Sequence, residues 1–180
     1  TNGMQMTIIE VTKKLNFSKN LMAETLKKFQ SEAFFTRKTD KWSPAEQAQH
    51  LVLSVKPLLL AYSLPKIGLR LLFGKPNREG RSYEQLLEKY HTKLAAGATA
   101  SSAYVPKQLK TGTTPEAVIK TFVDTHQKLI AKINHWKDED LDPFILPHPL
   151  LGKITLREML YFTDFHILHH NDLIHKIYLT

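Results

Sequence analysis

The sequence predicts an all-α protein, a four-helix bundle in up-down-down-up order, on three observations. Four long segments, about Asn16–Thr36, Ser43–Leu60, Thr114–Trp136 and Thr155–Thr180, place apolar residues three and four apart, the repeat that lines one face of a helix. Three of them open on a Ser or Thr with Glu three positions on (Ser43 and Glu46, Thr113 and Glu116, Thr155 and Glu158), the pattern of a capping box. No stretch shows the alternation of a half-buried strand. At 180 residues with 42% hydrophobic content, the chain suits one domain over residues 1–180 with its own core.

Each element follows in order. Residues 1–15 read as a loose N-terminal arm from which Ile8, Ile9 and Val11 can pack. The first helix runs from about Asn16 to Thr36, with Phe17, Leu21, Met22, Phe29 and Ala33 at helical spacing and Asn16 or Ser18 as cap. After a turn at Thr39–Trp42, the second helix starts at Ser43-Pro44; proline suits the first helical position because no backbone N–H is needed there. Ala48, Val52, Val55 and Leu59 share its face, and Pro57 is expected to kink or end it near Leu53–Leu60. Residues 61–112, punctuated by Gly and Pro, form a long irregular crossover containing one short extra helix, Tyr83 to about Ala96. The third helix aligns Val118, Phe122, Leu129, Ile133 and Trp136. Acidic Asp138–Asp142 and Pro-rich Pro143–Gly152 make the next connection. The last helix carries the stripe Leu156, Met159, Leu160, Thr163, His166, Ile167, His170, Ile174, Ile177. The short link between the first two helices makes them antiparallel, and the crossover is long enough to bring the third parallel to the second.

Composition narrows the functions. There are no cysteines, so disulfides, thiolate ligands and a cysteine nucleophile are excluded. No apolar run approaches the roughly 18–20 residues of a membrane span, and no leader pattern marks secretion, so no membrane association and a cytoplasmic setting are expected. The net charge of +8 is dispersed. Its one concentration, Lys66, Arg70, Lys75, Arg78 and Arg81 opposed by Glu79, lacks a helix-turn-helix or an aromatic stacking platform. A solvated surface and no nucleic-acid partner are the expectation.

The chemistry lies in the nine histidines. His166 and His170 are four apart, so their rings project from one helix face about a turn apart. Both fall on the apolar stripe, where an unpartnered imidazole is costly to bury. A divalent metal removes that cost by accepting a lone pair from each, and imidazole suits Zn, Ni, Cu or Fe. Taken alone, the pair is better explained as two buried histidines hydrogen-bonded to polar neighbours. His169 and His175 fall on outward faces. His91, His126, His135 and His148 have no spacing partner, and His126, one turn after Phe122, reads as a satisfied core or boundary histidine. His50 lies off the main apolar stripe of the second helix. By axial rise it sits about 10 Å past the start of that helix and His170 about 14 Å before the end of the last. Antiparallel packing would therefore bring His50, His166 and His170 to one level.

Trp42-Ser-Pro-Ala-Glu-Gln-Ala-Gln-His50, His148-Pro-Leu-Leu-Gly-Lys-Ile-Thr155 and Phe165-His-Ile-Leu-His-His170-Asn-Asp-Leu-Ile174 resemble the DinB-like superfamily, which includes the bacillithiol- and mycothiol-dependent transferases. The likeness runs from about residue 16 to the end and is vague over 61–112. It implies an up-down-down-up bundle, a homodimer, and a three-histidine divalent metal site (Zn or Ni) on His50, His166 and His170. Three ligands with open coordination positions belong to a catalytic metal, which makes a bound water or thiol nucleophilic near neutral pH. The resemblance thus implies a thiol S-transferase or related hydrolase using a low-molecular-weight thiol and a small-molecule substrate. A non-catalytic metal-binding or stress-related bundle is the alternative. In the predicted topology Thr36–Trp42, Lys110–Thr114 and the end of the last helix gather at the metal end. Arg37, Lys38, Lys41 and Lys110 would there attract a thiol's carboxylates, unless each is an ordinary surface cation. Glu46 would orient His50 or accept a proton, or only complete its capping box.

Overall fold

The computed structural model describes residues 5–99 and 101–180. Helix α1 spans Ile8–Leu26, started by a capping box in which Thr7 Oγ1 accepts from the Glu10 amide and the Glu10 carboxylate accepts from the Thr7 amide. The expected arm is therefore mostly helix, with Val11 and Leu15 buried; its residues 1–4 lie outside the described residues. Asn16 and Ser18 sit inside the helix rather than capping it, and the Ser18 hydroxyl bonds back to the Lys14 and Leu15 carbonyls. The chain then turns, and Ser31–Phe35 forms a separate helix, α2, that plugs fully buried Phe34 into the core.

Helix α3, Pro44–Ser63, opens on the predicted Ser43–Glu46 capping box with Pro44 in the first turn. Pro57 does not end it: the proline is on an exposed flank, while Val55, Leu58, Ala61 and Tyr62 bury a continuous stripe across it. Helix α4, Lys66–Phe73, leaves α3 at a 118° bend after Pro65 and was not predicted, because only Leu69 of its apolar residues is buried. Helix α5, Tyr83–Ala95, is the predicted short helix of the crossover, buried through Leu86 and Tyr90. A single 3₁₀ turn follows at Ser102–Tyr104. Helix α6, Pro115–Ile133, is capped by Thr114 onto the Ala117 amide, and with Ala117 at the third position the predicted reciprocal box on Glu116 does not form.

The Pro-rich connection, where no strand was expected, is an antiparallel hairpin of β1 (Ile145–His148) and β2 (Gly152–Thr155), with Ile145 opposite Thr155 and His148 opposite Gly152. Two four-residue strands, the first containing Pro147 and the second starting on Gly152, carry no readable alternation, which is why the sequence concealed them. Gly152, at φ 72°, supplies the left-handed residue that the turn needs. Helix α7, Leu156–Tyr178, starts on the predicted Thr155–Glu158 box.

Side-chain pairs fix the helix directions. Met6 and Thr25 at the two ends of α1 bond to Tyr161 and Asn171, so α1 and α7 run parallel. Gln47 reaches His170 and His50 reaches His166, so α3 and α7 are antiparallel. Gln49 and Leu53 share a groove with Ala117 and Thr121, and Ser63 meets Lys132, so α3 and α6 are parallel. That is the predicted up-down-down-up order. Two apolar clusters, one around Leu129, Leu160 and Tyr161 and one around Met22, Phe122 and Ile167, each draw on all four bundle helices.

The cation concentration is mostly internal bracing rather than free surface. Arg78 and Arg81 converge on buried Glu158, Lys66 pairs with Asp140, and Arg70 donates to the Pro143 carbonyl. Arg157, 3% exposed in its side chain, bonds to Asp138 and Asp142; burial lowers its pKa, and the two carboxylates outweigh that and hold it above the ordinary value. Among the described residues, no single helix is long and apolar enough to cross a membrane.

His126 is the satisfied core histidine expected from sequence: its Nδ1 donates to the Phe122 carbonyl at 2.7 Å, and burial pushes its pKa down to about 4. The unfolded chain takes up a proton at this position near pH 6.5 and the folded chain does not. Stability attributable to His126 is therefore intact above pH 6.5 and falls as pH drops toward 4, by on the order of 3 kcal/mol. Urea unfolding at pH 7 and pH 4.5 should show a shallower acid loss in His126→Leu than in the natural sequence.

Candidate metal centre

Helix α3 contributes His50 and α7 contributes His166 and His170, all three buried, with one ring nitrogen of each lying within 4.8 Å of the others. The Nε2 atoms of His50 and His166 are 2.9 Å apart. Nitrogens that share an ion at about 2.0–2.1 Å lie roughly 2.9–3.4 Å apart for bond angles near 90–109°, so this pair has a ligand spacing.

The surroundings select the tautomers. His50 Nδ1 donates to the Tyr104 carbonyl at 2.7 Å, and His170 Nδ1 donates to Gln47 Oε1 at 3.0 Å. The Gln47 amide is itself oriented by donating from Nε2 to the Trp42 carbonyl. With protons committed at Nδ1, both Nε2 atoms keep their lone pairs for the centre, the arrangement that outer hydrogen bonds give metal-bound histidines. Burial holds all three imidazoles below their ordinary value, and the neighbouring imidazoles reinforce this at His166 and His170. They are neutral near pH 7 and available to a cation. The residues present therefore fit a divalent metal.

Sequence reasoning did not find Gln47 or Tyr104. Gln47 lies three residues before His50 on the same helix, so a buried polar residue at that spacing was the available signal. Tyr104 acts through its main chain, which no side-chain pattern reports.

Glu46 is elsewhere. Its carboxylate receives Arg37 Nε at 2.8 Å and closes the capping box, and Arg37 in the first place holds it below the usual carboxylate range. The acceptor that orients His50 is the Tyr104 carbonyl, not Glu46. The turn and the end of α7 do meet, since the Tyr178 hydroxyl accepts from the Lys38 amide and donates to the Trp42 carbonyl. Lys41 lines a shallow depression with Trp42, Gln47 and His170. Lys110 builds the turn before α6, where its carbonyl accepts from Thr113.

The triad opens onto a cavity of about 370 Å³ walled chiefly by apolar side chains, among them Leu60, Leu64, Phe73, Leu94, Leu146 and Phe162. Among the described residues, no Asp, Glu, Lys or Arg lines it; Arg37, Lys38, Lys41 and Lys110 all lie outside. Phe162 stacks on His166 with ring centroids 5.0 Å apart. His169, expected to face outward, is on this wall, because α5 packs against that side of α7 and covers it. His175, also expected outward, is half-buried beside Thr25, 3.2 Å from its hydroxyl. His148, without a partner in the sequence, is carried onto the wall by the hairpin and meets Phe162 edge-on.

Residues 14–174 match the model of the DinB superfamily, and the chain belongs to that superfamily. It is similar in fold to colibactin self-resistance protein ClbS, solved in complex with double-stranded DNA (15% identity, TM-score 0.54, 95% of this chain and 94% of that one). It is also similar to an uncharacterized protein from Clostridium difficile 630 (14% identity, TM-score 0.57, 95% of each chain). No curated protein sequence matches it.

If the three imidazoles share an ion, His50→Ala and His170→Ala should each lose stoichiometric zinc or nickel after equilibrium dialysis. Gln47→Leu, which frees the His170 tautomer, should weaken the metal by about 10–100-fold while leaving the ligands in place. Metal content unchanged in all three variants would exclude the site. Because burial holds the metal-free imidazoles below their ordinary value near 6.5, protons compete for them, and affinity should fall, only on acidification well below that value.

Proposed function

We propose that this member of the DinB superfamily is a metal-dependent enzyme, a thiol S-transferase or a related hydrolase, with a divalent ion such as zinc or nickel on His50, His166 and His170. The observation that carries the reading is the convergence of three neutral imidazoles at one end of a cavity large enough for a small molecule. Such an ion, when bound, lowers the pKa of a water or thiol and makes it nucleophilic.

The chain's own residues do the rest. Tyr104 and Gln47 hold the two Nε2 lone pairs in place, and the apolar wall excludes bulk water from the reacting groups. His169, kept below its ordinary value mainly by burial, is neutral near pH 7 and is the wall's proton acceptor. Glu46, engaged by Arg37, does not serve in that role. Because the cations outside the cavity do not line it, a low-molecular-weight thiol would enter with its carboxylates toward the Lys41 side, beside His170. A cytoplasmic homodimer of one-domain chains accompanies this reading.

A second reading, a binding protein for double-stranded DNA, is favoured by the net charge of +8 and by the DNA complex of ClbS, which runs against the expectation of no nucleic-acid partner. A non-catalytic metal-binding bundle is the third.

Turnover of a neutral aromatic electrophile with an added thiol, and of an aryl ester without one, separates these. At least one reaction should run in the metal-loaded protein, stop on chelation, return with zinc or nickel, and fall about a hundredfold or more in His166→Ala. Turnover indifferent to chelation would overturn the metal mechanism. Absence of both reactions, with a labelled duplex shifting in anisotropy at physiological salt, would favour the DNA reading.

A further inference from the structure

The His148-Pro-Leu-Leu-Gly segment has no role in holding the proposed ion, yet the hairpin fixes its histidine in one chemical form. His148 Nδ1 accepts two backbone N–H bonds, from Leu150 at 3.1 Å and from Leu151 at 3.2 Å. Both partners are donors, so Nδ1 must present its lone pair, and a neutral imidazole then carries its proton on Nε2. Protonating Nδ1 would break both bonds in a largely desolvated place. Among the described residues, Nε2 has no oxygen or nitrogen partner on the chain, although the ring is 8% exposed and lines the cavity. A fixed donor on the cavity wall with no acceptor on the chain is free to serve a ligand there.

The rest of the wall states what kind of ligand that is. It is mostly apolar, its hydroxyls being those of Ser54, Tyr90, Ser101 and Tyr104, and carries no formal charge, so a carboxylate or phosphate entering it would be stripped of water with no cation to receive it.

We propose that His148 is a recognition residue, presenting one fixed Nε2–H donor to an acceptor oxygen on an uncharged, mainly apolar small molecule that fills this cavity. The inference rests on the cavity being the substrate site of the proposed function, but not on the metal. The ligand class is an aryl or alkyl compound with a carbonyl, ester or similar oxygen near the triad end. Specificity comes from the donor and size from the wall.

The test is binding of three probes of one shape, methyl naphthyl ketone, ethylnaphthalene and naphthoate, to the full chain as purified, followed by fluorescence and repeated with chelator present. The ketone should bind about three- to tenfold more tightly than the hydrocarbon, the worth of one neutral hydrogen bond, and naphthoate should bind weakest once metal is chelated. His148→Asn keeps an acceptor for the Leu150 amide but does not reach the Nε2 position, and should erase the ketone's advantage while leaving ethylnaphthalene unchanged. His148→Gln places an amide donor near the Nε2 position and should retain part of the advantage. A ketone preference that survives in His148→Asn would overturn the proposal, as would equal loss of both neutral probes or naphthoate binding as tightly as the ketone under chelation. Metal loss in the histidine variants without turnover would defeat the proposed enzyme and leave these binding results standing.

Discussion

The antiparallel register of α3 against α7 is the constraint on which the rest depends. It sets Gln47 opposite His170 and His50 opposite His166, one helical turn apart on each helix. A slip of one turn would leave His50 facing the wrong partner and would strand Gln47, which is buried and bonded through both its amide nitrogen and its amide oxygen. Apolar packing alone tolerates such slips better than hydrogen bonds do, because apolar contacts are non-directional. The polar layer therefore specifies the register, and the two apolar clusters on either side of it stabilise whatever register it selects.

The crossover and the hairpin turn that layer into a site. Arg78 and Arg81 on the crossover grip Glu158, whose other oxygen closes the cap of α7, so one buried carboxylate joins the start of that helix to the chain crossing above it. Arg157, the preceding residue, ties the acidic connection and the backbone at Met6 to the same point. With α5 and the hairpin anchored this way, Tyr104 is brought to His50 and His148 to Phe162. Arg78 and Arg81, part of the charge concentration expected to be solvated surface, thus brace the start of the helix that carries His166 and His170.

The cavity shows a division of labour. Triad nitrogens are neutral and convergent, while most of the remaining wall is apolar, with the imidazoles of His148 and His169 on it. A site of this kind draws its affinity from burial and its orientation from a few polar groups. Of the cations that the sequence offers to an anionic thiol, Arg37 is committed to Glu46 and none lines the cavity, while Lys41 shares a depression with His170 on its outer side.

Four long helices, three of their starts, the up-down-down-up order and the shared face of His166 and His170 were legible in the sequence, because helical periodicity, capping chemistry and loop length are local and direct; His50, off the main apolar stripe of its helix, joined them only through the expected antiparallel order and the resemblance to the superfamily. The early start of α1 was equally legible in Thr7 and Glu10 and was missed. Other features had no local signature. Helix α4 buries one apolar residue, the hairpin strands are four residues long, and the acceptor for His50 is a main-chain carbonyl fifty-four residues away. His169 and Glu46 show the same limit from the other side: each had a readable helix face or capping position, but its surroundings were set by what packed against it. The sequence by itself determined which imidazoles share a helix face and which way each helix runs. Tertiary structure alone decided which nitrogen of each ring keeps its lone pair, because a tautomer is fixed by the partner across the contact and not by the residue that carries it.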